Sequence, residues 1–163
     1  MHLSRLRALS AAVILLVTLV ACGSANTDAK PSPLDVITVG GTDKAPTLTF
    51  KTKPFTVTAT TTKVLTAGTG ATVSNANTVK FNHAVFSGED GKEIESSFGK
   101  QPAGLDLSDT TVLPGLSSSL AGQQIGSRLL VAIPPDAGTN YTMVFLIDLI
   151  SASTPPVKTT APR

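Results

Sequence analysis

The stretch VLPGLSSSLAGQQIGSRLLVAIPP, Val112 to Pro135, reads as four pieces of structure in a fixed order. An apolar strand end, Val112-Leu113, runs into a Pro114-Gly115 corner. Proline lacks an N–H and has φ preset near the helical value, which suits a first turn, so a short helix is predicted over Pro114–Ala121. Gly122 is placed to stop it, because glycine enters the left-handed backbone region without penalty. Gly126 then opens a strand, Ser127–Ile133, whose core Leu129-Leu130-Val131-Ala132-Ile133 is apolar without alternation. Such a run belongs in the middle of a sheet, buried on both faces. Pro134-Pro135 end it, since proline cannot donate to a ladder.

Outward from this core the period is two. Thr56–Leu65, Val79–Val85 and Tyr141–Ile150 are β-branched or aromatic runs with partial alternation, separated by Gly and Asn clusters such as Gly68, Gly70 and Ser74–Asn77. No other segment reads as a good helix, and no internal repeat is present. The economical architecture is α+β, an antiparallel sheet of about five or six strands curved over one short helix.

The ends read differently. Arg5 and Arg7 precede an apolar run, Ala11–Val17, too short to span a bilayer well, and the run closes on Leu19-Val20-Ala21-Cys22. That pattern is a secretion signal over residues 1–21. Cys22 after Leu-Val-Ala resembles the bacterial lipobox, which implies lipidation of its thiol and a membrane anchor there. It is the single cysteine of the chain, so no intrachain disulfide can form. Residues 22–34, small, polar and proline-bearing, are expected to be a disordered tether, residues 35–152 the domain, and residues 153–163, ending TPPVKTTAPR, a disordered tail. Of 13 Lys and Arg, Arg5 and Arg7 leave with the signal, which balances the 11 Asp and Glu. The remaining cations are scattered, so a nucleic-acid footprint is not expected.

The order of motifs is similar to that of FKBP-type peptidyl-prolyl cis-trans isomerases. It is carried by Asp90-Gly91-Lys92 with Ser96-Ser97, Val112-Leu113-Pro114-Gly115-Leu116, Leu120-Ala121-Gly122, Ile125-Gly126-Ser127-Arg128, Ile133-Pro134-Pro135 and Met143-Val144-Phe145. The leading part, Asp35–Leu65, looks like the N-terminal strands of secreted FKBP-like lipoproteins of actinobacteria. The resemblance implies an FKBP-like fold and a proline pocket formed by His83, Ile94, Glu95, Ala103, Leu105, Val112, Leu113, Leu116 and Phe145, with the Leu113 N–H as the donor to the substrate carbonyl. It also marks departures. Leu116 stands where the family prefers a floor tryptophan, Ile94, Ala103 and Leu105 stand at aromatic wall positions, Glu95 replaces an aspartate, and His83 replaces a tyrosine. Between Pro135 and Tyr141 the family's longer flap is missing.

Other chemistries lack parts. His83 is the single histidine beyond the signal, so a zinc site or a Ser-His-Asp triad is not expected. Ser117-Ser118-Ser119 has no nucleophile-elbow glycines and reads as the polar face of the short helix. Glu89, Asp90, Glu93 and Glu95 lack EF-hand spacing and read as a solvated hairpin end. Two functions stay open: a prolyl isomerase of low activity, without cofactor, that helps exported proteins fold on the outer face of the cytoplasmic membrane, or a non-catalytic FKBP-like binding or chaperone module. Either would take proline-containing or unfolded segments of secreted proteins as partner, and a monomer is expected.

Overall fold

A computed structural model describes residues 31–136 and 138–154. The signal peptide, Cys22, the first part of the tether and the end of the tail lie outside the described residues.

The decisive stretch folds as its residues dictate. Helix α1 spans Pro114–Leu120 with Pro114 in the first turn, and Gly122 stops it at φ +81° while its N–H donates to the Val73 carbonyl at 2.8 Å. The corner needs Gly115, because a Cβ there would lie 2.5 Å from Thr60 Oγ1. Of the three serines only Ser118 is exposed. Ser119 is buried, its hydroxyl donating to the Gly115 carbonyl and accepting from Thr62 Oγ1, both at 2.7 Å. A polar face for all three is therefore corrected: the third serine fastens the helix to the sheet.

Eight strands follow the chain: β1 Ile37–Thr42, β2 Ala45–Phe50, β3 Thr61–Thr66, β4 Thr78–Ser87, β5 Glu93–Ser96, β6 Ala103–Asp106, β7 Arg128–Ile133 and β8 Met143–Ser153. Six of them form one antiparallel sheet in the order β3-β7-β8-β4-β5, with β6 also pairing β4. β7 and β8 are central and apolar on both faces. Leu129, Val131, Ile133, Phe145 and Ile147 point to the inner face, where Leu116 and Leu120 of α1 cover them. Leu130, Ala132, Val144 and Leu146 point to the outer face, into a second core.

That second core is closed by β1 and β2, a separate two-stranded hairpin. Strict alternation in β2 buries Pro46, Leu48 and Phe50, and the Phe50 and Phe55 rings meet at 5.9 Å, tilted by 54°. Beyond the hairpin's apolar area Arg128 makes a two-pronged contact with Asp148 across the β7–β8 rung, at 2.6 and 2.7 Å, and reaches Asp43 in the hairpin loop at 3.6 Å.

Three boundaries differ from the sequence reading. The ordered domain starts before residue 35: Ser32 caps a 3-10 turn, Pro33–Val36, through hydrogen bonds with Leu34 and Asp35, and Leu34 is fully buried in the outer core. The expected strand Thr56–Leu65 is formed only from Thr61. Ahead of it the Phe55 and Val57 N–H groups donate to the Gly88 carbonyl and to Thr142 Oγ1, so that backbone is tied to loops and not to a ladder. At the other end β8 continues through Ser153, which pairs with Thr78.

Candidate functional site

The candidate site lies on the inner face of the sheet beside α1. Register places Val131, Phe145, Val85 and Glu95 in one row across four strands. Residues opposite one another share a face, so three apolar side chains and, at the exposed edge, one carboxylate line up on the inner face. From β6, Ala103 pairs with Phe81 and Leu105 with Val79, which brings both to the rim of the same cluster. Leu113, at the corner, packs against it too, and Leu116 projects into it from the first turn of α1.

His83 lies on the same face as Phe81 and Val85, two residues from each, and its ring sits 5.5 Å from the Phe81 ring. Its two nitrogens are both engaged. Nδ1 lies 3.3 Å from Ser97 Oγ, and Nε2 lies 3.4 Å from Glu95 Oε1. Glu95 can only accept when ionised, so this pair favours the Nε2–H tautomer with Nδ1 accepting from the serine. The imidazole is thereby held upright as a wall, 13% exposed, while the Glu95 side chain is 69% exposed beside it.

Ser, His and Glu in contact invite comparison with a hydrolytic triad, and the surrounding bonds argue otherwise. Ser97 is buried, and its hydroxyl accepts the His83 backbone N–H at 2.9 Å. The Ser97 N–H in turn donates to the His83 carbonyl at 2.8 Å. The serine is a strand-to-strand fastener, shut away from substrate.

Not every expected residue joins. Ile94 is 51% exposed and belongs to neither core. Val112 is outside the inner cluster and lines a cleft of about 410 Å³ together with Leu107, Asp109, Pro114 and Ser117. The floor itself is well packed: Leu116 is 8% and Phe145 7% exposed, so each offers little more than an edge. The short flap closes as a tight turn in which Asp136 and Thr139 exchange backbone hydrogen bonds at 3.1 and 3.3 Å. Phe81 and Ser97 escaped the sequence reading of the site. The period of two through His83 marks Phe81, whereas no sequence signal marks Ser97 as the ring's partner.

One backbone feature stands out. Leu113, with φ −51° and ψ 115°, precedes α1, and its carbonyl accepts from Leu116 and Ser117. Its N–H has no acceptor among the described residues. A half-buried donor beside an apolar floor is a place for a ligand carbonyl.

Residues 69–145 match the family model of FKBP-type peptidyl-prolyl cis-trans isomerases. The fold is FKBP-like. The structure is similar to FkpA from Escherichia coli, at 27% identity and TM-score 0.52, over 60% of this chain and 49% of that one. A multi-domain immunophilin from Arabidopsis thaliana aligns with TM-score 0.50 at 17% identity, over 60% of this chain and 43% of that one. A peptidyl-prolyl cis-trans isomerase from Pseudomonas syringae pv. tomato aligns at 25% identity with TM-score 0.49, over 58% and 75% of the two chains. The chain spans about half the length of FkpA, and comparison with curated proteins finds no match. The matched segment holds α1, β4 to β7, the corner, and every inner-face residue named here as far as Phe145. The 3-10 turn, β1, β2 and β3 precede it.

Proposed function

We propose that the inner face beside α1 binds proline-containing polypeptide segments and isomerises the X-Pro bond slowly. The observation that carries this reading is the Leu113 N–H, free of any acceptor among the described residues, at the edge of the Leu105, Leu113, Leu116 and Phe145 cluster. Rotation about an amide faces a barrier of about 18–20 kcal/mol, and unaided X-Pro isomerisation takes tens to hundreds of seconds. The planar ground state is polar through resonance, and the twisted transition state has lost that charge separation. A water-poor apolar surface therefore favours the twisted form, and no nucleophile, metal or cofactor takes part.

Magnitudes explain why the rate is set low. Each tenfold of rate needs about 1.4 kcal/mol of differential stabilisation. One hydrogen bond to the substrate carbonyl is worth about 0.5–1.5 kcal/mol net, so it supplies up to roughly tenfold. The rest must come from walls that enclose the proline ring. An aromatic side chain buries about 150–250 Å², and the wall positions here carry Leu116, Ala103 and Leu105, with Ile94 turned out. His83, braced by Ser97 and Glu95, and Phe145 are the rings that remain.

The same depletion favours a second reading, a non-catalytic module that holds unfolded or proline-bearing segments. The near-complete burial of Leu116 and Phe145 and the short Asp136–Tyr141 flap support it. In either case we place the domain outside the cytoplasmic membrane, tethered by a lipid on Cys22, on the strength of the signal and lipobox-like sequence. A protease-free proline-isomerisation assay separates the two. Acceleration above buffer that falls about tenfold in Leu113→Pro supports the enzyme. A rate equal to buffer, with a proline peptide still bound, leaves the binding module.

A further inference from the structure

The cleft at the corner continues the inner face. Leu107 lines it and also packs in the inner-face cluster. Val112 and Pro114 line it too, and Leu113, whose N–H has no acceptor among the described residues, stands between them in the chain. Leu116 of α1 faces the inner cluster, while Ser117 and Ser118, the next residues of the same helix, line the cleft. A segment with a carbonyl on the Leu113 N–H therefore has about 410 Å³ of further room beside it, with Leu107, Val112 and Pro114 as an apolar wall.

The one charged residue lining this cleft is Asp109, which is exposed. Two consecutive turns hold it in place. The Asp109 N–H donates to the Asp106 carbonyl at 3.2 Å, and the Val112 N–H donates to the Asp109 carbonyl at 3.3 Å. Oδ1 of Asp109 accepts the Thr111 N–H and hydroxyl, both at 2.8 Å, and no donor among the described residues reaches Oδ2. Those bonds, the backbone one foremost, hold the carboxyl below the usual carboxylate range, so it is anionic at neutral pH. No Lys or Arg among the described residues pairs with it. The turn from Asp109 to Val112 also ties the carboxylate to the residue next to Leu113, so the apolar wall, the anion and the Leu113 N–H are held as one unit.

Resting on the reading of the inner face as a proline site, we propose that the cleft takes the flank of the same bound segment. It selects segments that carry an apolar residue and a Lys or Arg close to the proline. The apolar side chain lies against Leu107, Val112 and Pro114, and the cation on Asp109 Oδ2. Three features select this occupant: continuity with the inner cluster through Leu107, the apolar wall, and a carboxylate without a cation among the described residues. A hydrogen bond from a Lys or Arg to a carboxylate is stronger than a neutral one. An acidic flank meets a like charge at Asp109 and is disfavoured.

Titration of the full chain with matched proline peptides tests the proposal. Each peptide carries Leu and Lys a few residues from the proline, on either side, and is compared with the same peptide bearing norleucine or Glu in place of Lys. In the best register the Lys peptide is expected to bind about fivefold tighter than its norleucine partner at low salt, the upper worth of an exposed ion pair. The Glu peptide is expected to bind more weakly than both. Asp109→Asn, whose Oδ1 still accepts from Thr111, is expected to bring the Lys and norleucine affinities together. Amide shifts caused by the Lys peptide are expected at Ser108–Val112 as well as at Leu113 and Leu116. Equal affinity for Lys and norleucine peptides in every register overturns the proposal. So does a Lys preference that survives in Asp109→Asn, or shifts confined to Leu113, Leu116 and Phe145. In those three cases proline peptides still bind, and the reading of the inner face stands. If no peptide binds, that reading falls together with the proposal.

Discussion

The two faces of the central sheet are both buried, by covers of different kinds. On the inner face a helix of seven residues, α1, covers Val131, Phe145 and Ile147 and leaves a rim of mixed chemistry, with His83 and Glu95 partly exposed and the Leu113 N–H without an acceptor among the described residues. On the outer face the β1–β2 hairpin, the 3-10 turn and Phe55 cover Leu130, Ala132, Val144 and Leu146 with apolar side chains. The helix lies inside the segment matched to FKBP-type isomerases, and the hairpin lies before it. The difference separates two tasks. The outer cover adds hydrophobic burial with no polar opening, while the inner cover keeps one edge of mixed chemistry, the edge at which we propose that a polypeptide docks.

The comparison breaks most completely if the outer cover is removed. Leu34, Ile37, Leu48 and Phe50 each bury most of an apolar side chain, worth about 1.5–3 kcal/mol apiece, and whole-domain stability is about 5–15 kcal/mol. Deleting residues 31–50 is therefore expected to abolish cooperative folding, as read by thermal melting in circular dichroism. A domain that still melts cooperatively would show that the hairpin is an ornament. Next in size is a pair of single truncations. Leu48→Ala on the outer face is expected to lose about 2–5 kcal/mol in denaturant unfolding, with peptide affinity of the folded fraction unchanged. Phe145→Ala on the inner face is expected to lose about 3–5 kcal/mol and, in addition, peptide binding. If both variants keep binding equally, the site is not on the inner face.

A smaller effect isolates the donor. Leu113 has φ −51°, within the range proline adopts, so Leu113→Pro removes the N–H at an unchanged φ, and Leu113→Ala, which keeps the N–H and trims the side chain packed against the inner cluster, is its control. The expected result is about a tenfold loss of isomerisation or binding, the worth of one hydrogen bond, with the unfolding midpoint nearly unmoved. The smallest effect is electrostatic and belongs to the outer side. Lys63 binds the Asp35 carboxylate at 2.5 Å, and this hydrogen bond, followed by that from Ser32, holds Asp35 below the usual carboxylate range. A carboxyl depressed in the folded state contributes stability above its unfolded pKa of about 3.9 and loses it as pH falls through the folded value. Asp35→Asn is accordingly expected to lower the melting temperature slightly at pH 7 and to converge with the parent chain as acid is added below pH 4. Both groups are well exposed, so salt should shrink the difference.

Much of the inner side was legible from residue order. The run from Val112 to Pro135 specifies corner, helix, glycine stop and two-faced strand through local rules, and those rules act within a few residues of one another. The outer cover was legible only as a resemblance of Asp35–Leu65 to N-terminal strands, because Thr38–Thr42 and Thr47–Thr49 are polar and their spacing does not say what Leu48 and Phe50 are buried against. The burial of Leu34, Leu48 and Phe50 depends on a sheet contributed by residues far along the chain. The strand expected from Thr56 lost its first part for a similar reason: β-branched composition proposed a ladder, and long-range acceptors at Gly88 and Thr142 took the donors instead. At the site, a resemblance in motif order proposed His83, Leu105 and Phe145, and the period of two puts His83 on the same face as Phe81 and Val85. What spacing does not carry is side-chain direction at an irregular edge. The register shift between Val85 and Phe86 turns Ile94 outward, and the alternation at the corner sends Val112 to the cleft.

The most direct test of the central claim, a proline-binding inner face, is exchange spectroscopy by NMR on a short X-Pro peptide with catalytic amounts of the full chain. Cis–trans exchange faster than in buffer, abolished by Phe145→Ala and cut about tenfold by Leu113→Pro, is the expected result. An exchange rate equal to buffer, with no peptide-induced shift at Leu113, Leu116 or Phe145, would contradict it.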